Sequence, residues 1–328
     1  MLFKIKTLVA TIAALWTVAA PAATLTDTYS SFVVLGDSLS DTGNIFAQSG
    51  GTFPPAPYFN GQFSNDAVWA DQVGQDFTNA GRLSLNLAFG GAKAVTDADA
   101  SPDLAFQVDL FKGFTQTANA AFLGPRPLGV LFFGGNDLFA AAKQADALQL
   151  ARTAARAVRG QVETLAALGL RDIVLVNSID VAVTPRVEVE GDSDPITASR
   201  ATLAFNEIMA QQFVANPALY NDVRLFDFSA LSSGLLADPG AAGITNVTDA
   251  CLSTLACIGG GQADRFLFWD SVHPNGIAHS LIADAFRQGA NQSSLLVSPV
   301  PLPAGAWSLL AALAALGAVG VARKGRVA

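Results

Sequence analysis

Serine, histidine and aspartate are the side chains of this 328-residue sequence whose types and spacing could do nucleophilic chemistry. The stretch SFVVLGDSLSDTG, residues 31–43, is an apolar strand-like run that breaks at Gly36 and continues as Asp37, Ser38, Leu39, Ser40, Asp41. A serine hydroxyl is a poor nucleophile until a base takes its proton, and that base is usually a histidine oriented by a carboxylate. Only two histidines are available, His273 and His279. His273 follows Asp270 by three residues in FWDSVHPNG. That spacing puts both side chains on one turn, with Asp270 taking the Nδ1 hydrogen and Nε2 facing outward. His279, in NGIAHSLIADAF, sits at the border of an amphipathic helix and reads as a packing or surface residue.

Attack on an acyl carbonyl also needs donors for the developing oxyanion. The backbone N–H of Ser38 at a helix start, the side-chain amide of Asn136 in FFGGNDL, and a glycine of NLAFGGAKA (residues 86–94) are candidates. Asp37 and Asp41 are too close to Ser38 in sequence to orient a distant imidazole, and are expected to favour the positive start of the following helix. Asp137, beside Asn136, reads as a structural hydrogen-bond acceptor. The aromatic stretch GGTFPPAPYFNGQFSN either lines an acyl or glycan pocket or is a long surface loop.

These residues need a scaffold that brings them together. Short apolar runs rich in Val, Leu, Ile and Phe recur as SFVVLG, PLGVLFFGG, RDIVLVNS and DVRLFDFS, each bounded by Gly, Pro, Asp or Ser as buried strands are. Between them, DALQLARTAARAVRGQVETLAALGL has a helical stripe of Leu148, Ala151, Ala155, Val158, Val162, Leu165 and Leu168, with Gly169 as its stop. TASRATLAFNEIMAQQFVAN is a second helix, expected to be capped by Thr197 or Ser199. Strand and helix alternating imply a parallel sheet with helices on both faces, and ligands of such folds bind at the carboxyl ends of the strands. Ser38 follows FVVL, Asn136 follows GVLFF, and Asp270 with His273 follows DRFLFW, so the three sets are expected to converge on one edge.

The ends of the chain read differently from its body. Residues 1–23 carry Lys4 and Lys6, an apolar core and small residues around Ala20-Pro21-Ala22, the three-part pattern of a secretory signal peptide cut near Ala22 or Ala23. Residues 299–328 hold an uncharged run of transmembrane length followed by Arg323, Lys324 and Arg326, with residues 291–298 as linker. Both ends place the body outside the cytoplasm. The five basic residues of the ends mask the body's charge. Without them 19 Lys and Arg fall to 14 against 27 acids, so the net charge moves from −8 to near −13. Such a surface repels phosphate backbones and argues against nucleic acid as a partner. Two cysteines, Cys251 and Cys257, lie close together in a Gly-rich loop of an exported chain and are expected to form a disulfide worth about 2 kcal/mol. No His/Cys cluster has zinc spacing, and no EF-hand or glycine-rich nucleotide loop is present, so neither metal nor cofactor is expected.

GDSLSDTG, NGQFSNDAVWADQV, NLAFGGAKA, FFGGNDL and FWDSVHPNGIAHSLIA, in that order from about Ser31 to Ala290, resemble the GDSL lipase/esterase family of SGNH hydrolases. The resemblance implies a flavodoxin-like three-layer α/β/α sandwich over residues 30–290 and metal-free ester hydrolysis. It implies Ser38 as nucleophile, Asp270 and His273 completing a triad, and an oxyanion hole of Ser38 N–H, Asn136 and a Gly90-Gly91 backbone N–H, Gly91 being favoured. The substrate would be a lipid ester, a short-chain ester or an acetylated glycan. HPNG stands where HPT is common and NDAVW where NGxVW is common, departures that touch no catalytic atom. The Gly-x-Ser-x-Gly elbow of α/β-hydrolases is absent, since Ser40 occupies its last position. VPLPAG in the C-terminal tail resembles the VPLPA variety of PEP-CTERM sorting signals, which implies a membrane transpeptidase of the exosortase type as a partner.

Overall fold

The computed structural model describes residues 24–97, 99, 101–118, 120–211, 218–255, 257 and 261–290. The expected leader, linker and sorting segment lie outside them. In chain order the strands are β1 (Ser31–Gly36), β2 (Leu83–Asn86), β3 (Pro127–Phe132), β4 (Asp172–Val176), β5 (Asp222–Phe226), β6 (Asn246–Ala250) and β7 (Phe266–Phe268). The α-helices are α1 (Leu25–Thr28), α2 (Asn44–Gln48), α3 (Trp69–Asn79), α4 (Leu104–Ala118), α5 (Gly135–Ala141), α6 (Ala147–Ala167), α7 (Pro185–Glu188), α8 (Pro195–Met209), α9 (Phe228–Ala237) and α10 (Gly276–Gly289).

The first five strands form one parallel sheet in the order β2-β1-β3-β4-β5. β1, β3 and β4 are buried along their whole length, as continuous apolar runs are when helices cover both faces of a parallel sheet. Successive side chains of a strand point to opposite faces. Val33 and Leu35 of β1 therefore enter a core filled from α4, α5, α6 and α8, while Phe32 and Val34 enter one filled from α1, α3, α9 and α10. The result is the expected three-layer α/β/α sandwich.

Four expectations are corrected. The FLFW run, placed in the main sheet by its apolar character, forms the three-residue β7 and pairs with β6 in a separate two-stranded sheet. Leu148, assigned to the buried stripe of α6, is 38% exposed, because the stripe turns through Ala147, Ala151, Ala154 and Val158 instead. α8 starts two residues before Thr197. Asp194 is its cap, accepting from Thr197 N–H at 2.8 Å, and Pro195 fills the first helical position where no N–H is needed. Ser38 lies in a turn closed by Ser40 N–H and Asp41 N–H on Asp37 O, both at 3.0 Å, and the helix after it begins only at Asn44. Gly169 does end α6, with its own N–H and that of Leu170 returning to Ala166 O and Leu165 O at 3.0 Å each.

Cys251 and Cys257 are joined as a disulfide with Cα atoms 5.3 Å apart. They pack with Phe266 and Trp269, and Leu252 N–H donates to Trp269 O at 2.9 Å. The bridged loop thus braces the end of β7 where Asp270 follows.

His279 lies fully buried in α10. Its Nδ1 accepts from Trp69 N–H at 3.3 Å, and Nε2 has no partner among the described residues. Burial, helped by the nearby His273, pushes its pKa down from 6.5 to about 3, so the folded protein holds it neutral. The unfolded chain takes up that proton first, and stability is lost as pH falls from 6.5 toward 3. His279→Gln is expected to flatten this dependence. Over that window, calorimetric thermal midpoints of the parent should fall more steeply than those of the variant.

Candidate active site

Ser38 follows the carboxyl end of β1, which lies between β2 and β3 in the main sheet, and Asp270 and His273 follow β7. The chain reverses tightly after β7, with Trp269 N–H donating to His273 O at 2.7 Å and Asn275 N–H to Leu267 O at 2.9 Å. Within that reversal Asp270 Oδ1 accepts Val272 N–H at 2.8 Å and His273 N–H at 2.7 Å. Its Oδ2 faces His273 Nδ1 at 2.7 Å, and His273 Nε2 lies 2.7 Å from Ser38 Oγ. A proton on Nδ1 is the tautomer this geometry selects, since the carboxylate can only accept, leaving Nε2 free to receive the serine hydrogen. Burial opposes the charge on Asp270. The imidazole, its hydrogen bond, Tyr58 and the His273 N–H outweigh it and hold the carboxyl below the usual range.

Tyr58 is the residue that sequence reading missed. Its hydroxyl donates to Asp270 Oδ2 at 2.6 Å, on the oxygen that also faces His273. Burial, then the charge of Asp270 and this hydrogen bond, raise its pKa. Phe63, from the same aromatic stretch, sets its ring against the imidazole with centroids 5.1 Å apart. GGTFPPAPYFNGQFSN is therefore the element that walls the Asp270–His273 pair. The stretch gave a signal, an aromatic-rich loop, but no spacing that linked it to residues more than two hundred positions away.

Asp41 fixes the other side. Its Oδ1 accepts Gly43 N–H at 2.8 Å and Asn44 N–H at 2.6 Å, and its Oδ2 accepts Ile45 N–H at 3.1 Å and Gly90 N–H at 2.8 Å. It thus does favour the start of α2, as expected, and also ties the glycine loop to the serine turn. Gly90 N–H is consumed by this bond. Gly91, at φ +83°, and Ser38 have N–H groups with no acceptor among the described residues. A Cβ at Gly90 would penetrate the Phe63 ring, so only glycine fits beneath the aromatic wall. Asn136 donates one Nδ2 hydrogen to Ala92 O at 2.9 Å and keeps a second hydrogen.

Asp37 departs from expectation. It serves its own turn, accepting Leu39 N–H at 3.0 Å, and does not reach a helix start. Its burial pushes its pKa up to about 7, against the pull of Leu39 N–H and His273. Asp137 accepts Ala94 N–H at 2.8 Å and Val95 N–H at 3.1 Å, a structural acceptor as expected, and burial raises it to about 6. Gly91 and Asn136 open onto a cleft of about 440 Å³ whose walls include Lys93, Asp99, Lys143 and Arg186.

An asparagine at position 41 keeps the shape but not the four acceptor sites. Each buried N–H left unsatisfied costs about 1–3 kcal/mol. Asp41→Asn is therefore expected to lose about 2 kcal/mol or more in urea denaturation at neutral pH.

Residues 32–286 match the GDSL-like Lipase/Acylhydrolase family. The chain is 29% identical over 288 residues to the thermolabile hemolysin of Vibrio parahaemolyticus, covering 81% of this chain and 65% of that protein. It is 28% identical over 226 residues to the phosphatidylcholine-sterol acyltransferase of Aeromonas hydrophila, covering 68% of this chain and 65% of that protein. It therefore spans just under two thirds of the length of either relative. Among solved structures, a lipase from a goat rumen metagenome aligns with TM-score 0.46 at 13% identity, covering 80% of this chain and 97% of that one. An acetylxylan esterase from Geobacillus stearothermophilus aligns with TM-score 0.41 at 14% identity, covering 80% and 94%. Likenesses at that level say nothing about substrate. The family match spans most of the chain and includes every residue of the hydrogen-bonded Ser38–His273–Asp270 series, and the chain belongs to the GDSL-like lipase/acylhydrolase family.

Proposed function

We propose that the protein is an exported serine esterase that hydrolyses carboxylic esters through an acyl-enzyme. The observation that carries this reading is the unbroken series Ser38 Oγ, His273 Nε2, His273 Nδ1, Asp270 Oδ2, with both links at 2.7 Å. As Ser38 Oγ attacks the ester carbonyl, Nε2 takes its proton, and ionised Asp270 stabilises the imidazolium that forms. The oxyanion is received by Ser38 N–H, Gly91 N–H and the second Asn136 Nδ2 hydrogen. Nε2 then returns the proton to the departing alcohol. Water repeats the sequence on the acyl-serine, and His273 delivers the final proton back to Ser38. This chemistry needs no cofactor.

Residues 1–23 would direct export and residues 299–328 would hold the chain at the membrane until a sorting transpeptidase acts. Among the described residues no helix is long and apolar enough to cross a membrane; the C-terminal segment lies outside them. Of the two relatives, a hemolysin and a phosphatidylcholine-sterol acyltransferase, the second by its name favours a lipid ester as the acyl donor. The second of them also raises transfer of the acyl group to an alcohol instead of water.

A second reading, deacetylation of a polysaccharide, is favoured by the cleft beside Gly91 and Asn136, whose Lys93, Asp99, Lys143, Gln144 and Arg186 suit a polar alcohol half. A non-catalytic binding protein on the same fold is the remaining alternative. It would be favoured by a parent protein that binds polysaccharide yet turns over no ester.

The test is a panel of p-nitrophenyl esters of increasing acyl length beside acetylated oligosaccharides. Ser38→Ala is expected to lower kcat by at least about 10⁴-fold while the circular dichroism spectrum is unchanged. Undiminished turnover by Ser38→Ala would remove the triad assignment. Tyr58→Phe deletes one donor to Asp270 and leaves the ring in place. It is expected to lower kcat by about tenfold with KM little changed, the cost of one hydrogen bond to a charged group.

A further inference from the structure

Asp97, Asp99 and Asp103 each present a carboxylate oxygen, and the three oxygens lie within 4.8 Å of one another on the loop that follows the glycine pair. Asp97 and Asp99 are exposed, but Asp103 is only 2% exposed. Its Oδ1 accepts Lys93 N–H at 2.7 Å, the backbone of Asp97 also favours its charge, and its Oδ2 is buried without a hydrogen bond of good geometry among the described residues. A buried carboxylate oxygen without a donor is costly and asks for a cation. The ammonium of Lys93 bridges Asp97 and Asp99. That is one positive charge for three carboxylates, and it leaves the orphaned oxygen unserved.

We propose that Asp97, Asp99 and Asp103 form a calcium site in which the ion displaces the Lys93 ammonium. The donors are hard oxygens from alternate residues of one loop, with Ser101 at the intervening alternate position. Calcium takes six to eight such oxygens in a flexible geometry, whereas magnesium demands a near-ideal octahedron. The loop is pinned at its base by Asp103 on Lys93 N–H and by Leu104 N–H on Lys93 O at 3.0 Å. Its length and sequence differ from a twelve-residue EF-hand loop, which is why the EF-hand pattern does not detect it. Lys93, Asp99 and Ser101 line the same cleft as Gly91 and Asn136, so the ion frees the ammonium toward that cleft.

The experiment is calorimetric titration of CaCl₂ into the purified, EDTA-treated protein, with thermal midpoints measured in parallel. The expected result is single-site binding with Kd of about 10⁻⁴–10⁻³ M, the range of extracellular calcium modules, and a rise of a few degrees in midpoint at saturating calcium. Asp103→Asn retains the acceptor for Lys93 N–H and should abolish both effects. Asp97→Asn, an exposed change that leaves the fold intact, should weaken binding as well. Lys93→Gln removes the competing cation and should tighten binding by about fivefold or more. Absence of heat and of any midpoint shift at about 10 mM CaCl₂ in both the parent and Lys93→Gln would overturn the site. So would binding that survives Asp103→Asn. An equal response to MgCl₂ would overturn its assignment to calcium.

Discussion

The hydrogen bond between His273 Nε2 and Ser38 Oγ spans 235 residues of sequence and only 2.7 Å of space. Neither segment can hold that distance alone. Ser38 sits on a turn at the end of β1, a strand hydrogen-bonded on both sides, by β2 and β3. His273 sits on a short reversal after β7, outside that sheet, and its position depends on the packing of α10 and the aromatic stretch. The bond therefore joins the main sheet to the small β6–β7 sheet, and whatever shifts one against the other lengthens it. Misplacement of reacting groups by a fraction of an ångström is costly in rate, which explains why so many rigid contacts converge here.

Those contacts are largely backbone N–H groups held by buried and half-buried carboxylates. Asp41 accepts four, Asp137 two and Asp270 two, in addition to its side-chain partners. Burial raises the pKa of Asp37, Asp41 and Asp137, so their environment disfavours their charge. Asp270 is the exception. Its carboxylate meets an imidazole, a phenol and two N–H groups, and its pKa is lowered instead. Carboxylates of the same kind thus take two roles by surroundings alone. Three hold loops in place, and the fourth faces the base.

Much of the fold was legible because its elements follow simple periodicities. Four of the five main-sheet strands stand out as apolar runs, and α6 as an amphipathic stripe that ends on Gly169. β2 was not legible. LSLN is a half-buried edge strand with alternating polar residues, and it gains its identity only from pairing with β1. The displaced cap of α8 has a local cause, since Asp194-Pro195 is itself a helix start, whereas the exposure of Leu148 follows from which way the α6 face turns against the neighbours it packs on. The same holds for β7, whose apolar character suited the main sheet as well as the small one it joins.

The site divides along the same line. Residue chemistry and order were enough to single out Ser38, Asn136, Asp270 and His273, because a scarce histidine three residues after an aspartate leaves few combinations. Their mutual distances belong to the tertiary structure. It also separated Gly90, whose N–H Asp41 consumes, from Gly91, whose N–H has no acceptor among the described residues. It turned an ambiguous aromatic loop into the wall that brings Tyr58 to Asp270 and Phe63 to His273. A sequence lists donors and acceptors, but it cannot say which acceptors are already taken. That depends on which groups folding places within hydrogen-bonding reach and shields from water.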